Sequence, residues 1–114
     1  MTRLNSAFLT LAALAVAALG ACDTSGAGSP TGWVCPTDSG LTWDNFGQDF
    51  MTSYCTRCHG SFGSQGGVQR SRGSIDLYAA DGPNASNHGM PTSSPTPTTE
   101  ERQLLGEWLS CGAP

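Results

Sequence analysis

Lysine is absent from this sequence, and all of its cationic charge comes from five arginines set against nine Asp and Glu. A chain with a formal net charge of −4 and no basic cluster offers nothing to a phosphate backbone, so a nucleic-acid partner is excluded. The acidic balance speaks for solubility and for basic partners, and for no particular fold. Alternating strand-like runs are missing, and with them the βαβ context of a thioredoxin-like fold. No second C-x-x-C or H-x-x-x-H accompanies the one C-x-x-C present, so a four-ligand zinc site lacks half its ligands. After residue 21 no apolar run is long enough to cross a bilayer. There is no internal repeat, and 114 residues cannot hold two ordinary domains.

What is present begins with a leader pattern. Arg3 is followed by an Ala/Leu-rich run and then small residues, which predicts a secretory signal over 1–21. Leu19-Gly20-Ala21-Cys22 resembles a bacterial lipobox. That resemblance implies that Cys22 becomes the mature N-terminus and carries lipid; the alternative is ordinary cleavage beside a free Cys22. Several acyl chains would anchor the protein stably, since each buried methylene contributes ~0.8 kcal/mol. The Gly/Ser/Thr-rich stretch that follows makes 22–40 read as a lipidated terminus and flexible tether. Residues 41–114 remain for one domain.

Within it, Trp43, Phe46, Phe50, Met51 and Tyr54 form a helical stripe, and Thr42 is a fitting N-cap. The pattern predicts a helix over 43–58, stopped by Gly60. Residues 60–73 carry five glycines without periodicity and read as loop. A short helix is expected from Ser74 to Gly82. Four prolines exclude a regular helix over 83–97. Thr98 and Glu101 have capping-box spacing, and Leu104, Leu105, Trp108 and Leu109 give the helix they open one apolar face. The fold class is all-α with a loop-rich middle.

Chemistry concentrates in "CTRCHG". Helical spacing puts Cys55 and Cys58 on one face, and His59 follows directly. C-x-x-C-H is the spacing of c-type haem attachment: two thioethers hold one haem edge, and the adjacent imidazole can swing under the iron. One covalent haem c is therefore the expected cofactor. Met90 is the candidate for the second axial position, because a thioether completes a His/Met site and raises the reduction potential relative to two histidines. Pro91, Pro95 and Pro97 stiffen its loop, and Pro91 biases Met90 toward extended backbone. Met51 reads as core. His88, the other histidine, is the rival ligand.

The helix carrying "YCTRCHG", the "GMP" loop and "EERQLLGEWLSCGAP" together resemble a small class I-type cytochrome c domain over about 41–114. The resemblance implies a fold in which the first and last helices cross beside the haem. Phe46, Gly47 and Phe50 would then meet Leu105, Trp108 and Leu109, with Gly47 permitting close approach. It also implies that Cys35 and Cys111, which flank the domain and remain once Cys22 is lipidated and Cys55 and Cys58 hold haem, come together as a disulfide. Two departures stand out: the segment after His59 is glycine-rich, and the family's surface lysines are absent, which removes lysine-steered docking.

Three functions compete on these residues. With His59 and Met90 both on iron, the protein is an electron carrier, not an enzyme. It would serve redox protein partners on the periplasmic side of a bacterial membrane, held there by the lipid on Cys22. An open or labile distal position would make it a small-molecule sensor or a peroxidase-like enzyme. A colourless protein would be a thiol–disulfide oxidoreductase using Cys55 and Cys58.

Overall fold

The structure is a computed structural model and describes residues 27–114. The expected signal peptide and Cys22 lie outside the described residues. Among these residues the regular structure is helical, and the β pairing is a single isolated bridge between Asp81 and Ser86. None of their helices is long and apolar enough to cross a membrane.

Thr42 starts the first helical segment. Its hydroxyl accepts from Asn45 N at 3.1 Å, and Asn45 Oδ1 accepts from Thr42 N at 2.7 Å, so Asn45 closes a reciprocal capping box. Phe46 N and Gly47 N both donate to Thr42 O, which widens the first turn, Trp43–Gly47, into a π-helical one. An α-helix, α1, continues over Gln48–Tyr54. It ends four residues before the expected position. Cys55 N and Thr56 N crowd onto Met51 O, and the chain then turns around Cys55 O, which accepts from Cys58 N and His59 N. The two cysteines thus stand on a hydrogen-bonded turn rather than on the helix.

The glycine-rich 60–73 segment is not a loop. It forms a 3-10 turn, Gly60–Gly63, and a helix, α2, over Gln65–Arg70. Ser64 caps α2 by accepting from Gly67 N at 3.2 Å, and Val68 is fully buried. Burial of Val68 outweighs the poor helix propensity of its glycine neighbours. α3 spans Arg72–Ala79, starting two residues before Ser74 and ending before Gly82, with Ala80 already extended. The stretch from Ala80 to Thr98 is irregular, as its prolines require.

α4, Thr99–Ser110, opens on the expected box: Thr98 Oγ1 accepts from Glu101 N at 3.1 Å and Glu101 Oε1 accepts from Thr98 N at 3.2 Å. Gly112, at φ +96°, ends it. Gly112 N bonds Leu109 O and Ala113 N bonds Trp108 O, a Schellman arrangement.

The core joins Phe50, Met51, Val68, Ile75, Leu105, Trp108 and Leu109. Trp108, wholly buried, is flanked by Trp43 at 6.3 Å and by the edge-on ring of Phe46 at 5.7 Å between centroids. Gly47 lies directly against its indole, so the first helical segment approaches α4 through a glycine. That segment also touches α4 at its other end, where Tyr54 donates to Glu101 Oε2 at 2.8 Å. Cys35 and Cys111 are disulfide-linked, with Cα atoms 4.7 Å apart.

The flexible-tether reading of 22–40 does not hold for residues 28–33. Gly28 N donates to Leu77 O at 2.7 Å, Thr31 donates twice to the Asp76 carboxylate, and Trp33 Nε1 donates to Asp81 O at 2.8 Å. Thr31 is 1% exposed, so this stretch belongs to the folded body.

Candidate functional site

A cavity of about 430 Å³ opens beside the Cys55–Cys58 turn, within the 300–1,000 Å³ typical of cofactor sites. Its walls come from four places in the chain: Phe50 and Tyr54 of α1, the segment Cys55–Phe62, the Ser74–Ala79 side of α3, and the loop Met90–Ser93. Most of the lining side chains are apolar. The structure therefore brings Cys55, Cys58, His59 and Met90 to one cavity, although more than thirty residues separate Met90 from the other three.

Cys58 and His59 are exposed, and Cys55 is half-buried. The His59 ring stacks on Phe62, with centroids 5.0 Å apart and planes 22° apart, which limits its rotation. Burial pushes the Cys55 thiol up to about 11, against the smaller opposing pull of the Arg102 charge. A thiol–disulfide exchange nucleophile needs the opposite shift.

Met90 is held by its main chain at both ends. Its N–H donates to Tyr78 O at 2.8 Å, and its carbonyl accepts from Arg102 Nη1 at 2.8 Å. Arg102 is 4% exposed, and the same nitrogen reaches Ala79 O at 2.8 Å and Asn87 O at 3.2 Å. The sequence reading missed Arg102. A signal was present, because it lies three residues before Leu105 and seven before Leu109, on the apolar face of α4.

His88 does not line the cavity. Its Nε2 lies 2.8 Å from both carboxylate oxygens of Asp81, which is 3% exposed and also accepts from Asn87 N. Asn87 adds a buried knot: its side chain donates to Ser29 O at 2.7 Å and Asp76 O at 2.8 Å, tying the loop to α3 and to the N-terminal strap.

On the outer rim, Arg57 reaches across from the Cys55–Cys58 turn. It donates to Ser94 O at 3.1 Å and lies 3.4 Å from Ser93 Oγ. Arg70 and Arg72 stand away from this cavity, beside a second, open pocket of about 510 Å³ near Thr31 and Asp76.

The donor set suits one haem rather than a bare metal ion. Two thiols at attachment spacing, an imidazole and a thioether line one apolar space. Among the described residues no three His, Cys, Asp or Glu side chains gather as a metal-ion cluster. Comparison with family models, curated proteins and solved structures finds no match to this chain.

Proposed function

We propose that the chain is an exported class I-type cytochrome c, a one-electron carrier with a single covalent haem. The observation that carries the reading is the convergence of Cys55, Cys58, His59 and Met90 on one apolar cavity. Bound there, haem would supply a reversible Fe(II)/Fe(III) couple, and the protein would supply attachment, ligand choice and a dry wall. Cys55 and Cys58 would hold it through thioethers. His59, its plane set by Phe62, would be the proximal ligand.

Met90 is the better distal ligand of the two candidates. It lines the cavity on a loop fixed at both of its main-chain groups, whereas the ring of His88 is turned to Asp81. A thioether favours ferrous iron and so a high potential. With both axial positions taken, no site is left for a substrate, which favours a carrier over a sensor or a peroxidase-like enzyme. The high affinity of Cys55 for its proton argues against a thiol–disulfide oxidoreductase. The lipid expected on Cys22 would keep the carrier beside membrane redox partners.

The test is a pair of variants read by visible spectrum, reduction potential and carbon monoxide binding. Met90→Ala opens the iron, lowers the potential and admits carbon monoxide. His88→Ala leaves the spectrum nearly unchanged. Loss of the sixth ligand in His88→Ala, with Met90→Ala silent, would make the site bis-histidine and overturn the assignment.

A further inference from the structure

We infer that Arg102 is the positioning residue for Met90, holding the distal ligand at the cavity through its main chain, with Arg57 as a second, outer tie on the same loop. The inference rests on the ligation by Met90 proposed above.

The geometry is specific. Arg102 Nη1 has two hydrogens and faces three carbonyls, those of Ala79, Asn87 and Met90, at 2.8, 3.2 and 2.8 Å. These belong to the end of α3, the middle of the irregular stretch and the ligand itself. One cation on α4 therefore sets where that stretch begins and where Met90 sits. Arg102 is 4% exposed, with its bonds to Ala79 O and Asn87 O buried and that to Met90 O part-buried, so a shorter side chain that cannot reach all three leaves carbonyls without their donor. Nothing else on the ligand's own residue does this work except the bond from its N–H to Tyr78 O. Arg57 acts from the opposite flank of the sequence. It lies between the two attachment cysteines and bonds Ser94 O, four residues beyond Met90. Movement of the Met90 loop away from the cavity must break both ties.

A merely structural arginine would lower stability and leave the ligand alone. A positioning arginine sets how often Met90 leaves the iron. The experiment uses the full haem-containing protein, well below its unfolding temperature. It follows carbon monoxide binding to the ferrous form, the reduction potential and amide hydrogen exchange at Met90. Arg57 is exposed, so Arg57→Gln keeps the fold. Losing its tie should speed carbon monoxide binding about fivefold, the weight of one net hydrogen bond. Arg102→Gln should speed it about tenfold or more and accelerate exchange at Met90, since these are bonds from a charged group. Arg102→Lys, which keeps a cation, should recover part of the closure. Leu109→Ala, on the same helix, should lower stability without speeding carbon monoxide binding.

Rates within about twofold of wild type in the arginine variants, or an equal acceleration in Leu109→Ala, would overturn the inference while leaving Met90 as ligand. Should Arg102→Gln fail to fold, Arg102→Lys decides the role of Arg102 by the same rate and by exchange at Met90, and Arg57→Gln decides that of the outer tie. A wild type that retains haem but binds carbon monoxide freely would instead overturn the ligation by Met90, and this inference with it.

Discussion

Replacing Gly47 with alanine sets two effects of known size against each other. Gly47 sits in ordinary helical backbone, at φ −61° and ψ −46°, so alanine should gain about 1 kcal/mol from helix propensity alone. The structure opposes this. A methyl built on Gly47 would run into the six-membered ring of Trp108, well inside van der Waals contact. Trp108 is 0% exposed and wedged between Trp43 and Phe46, so it cannot yield by moving outward. Forcing a methyl into such packing costs about 1–3 kcal/mol, and here the contact is aromatic and fully enclosed, so the upper end applies. The net expectation is a loss of about 2 kcal/mol, or roughly 10 °C in Tm for a domain of this size. Gly73 supplies the matched control. It lies within α3 with nothing within 4 Å of a built methyl, so Gly73→Ala should stabilise by about 0.5–1 kcal/mol. Urea unfolding of the full chain with its disulfide intact measures both. A Gly47→Ala variant as stable as wild type would refute the close approach of the first helical segment to α4.

The disulfide closes a span of 76 residues, for which loop entropy gives up to about 4.5 kcal/mol, and Cys35→Ser/Cys111→Ser should lose most of it in the same unfolding assay. Burial of Glu101 opposes its ionisation, but hydrogen bonds from Tyr54 and Thr98 and the charge of Arg102 outweigh it and hold its carboxyl below the usual range. A carboxyl lowered in the folded state contributes stability above its unfolded pKa and loses it as pH falls through the folded value. Glu101→Gln should therefore lower stability at neutral pH and converge with wild type in acid, which flattens the acid limb of the stability profile; an identical acid limb would remove Glu101 from the account. Tyr54 is raised, first by its hydrogen bond to Glu101, then by burial and the Glu101 charge, so its contribution fades only as pH rises through its folded value. Spectrophotometric titration should find Tyr54 ionising at lower pH in Glu101→Gln.

Local chemistry is what the sequence displays. Thr42 and Thr98 with Glu101 begin helices through partners three residues away, so their roles could be read directly. The spacing of Cys55, Cys58 and His59 is legible for the same reason. What escaped depends on distant partners. The 60–73 stretch looks like loop until Val68 is seen in the core, and 28–33 looks like tether until Thr31 meets Asp76 and Trp33 meets Asp81. Arg102 reads as one more charge on an amphipathic helix, and only the folded loop shows three carbonyls turned to it. The C-x-x-C turn escaped differently. Its helix ends early because two amides compete for Met51 O, which no propensity records.

The central claim is that Cys55 and Cys58 hold one haem covalently. The most direct measurement is the mass of the intact chain, produced in a cell able to mature c-type cytochromes, after acid–organic extraction and alkylation. The account predicts a polypeptide carrying one added haem, with neither Cys55 nor Cys58 alkylated and the colour remaining with the protein. A chain of bare polypeptide mass, with both cysteines alkylated and any haem in the organic phase, would contradict it.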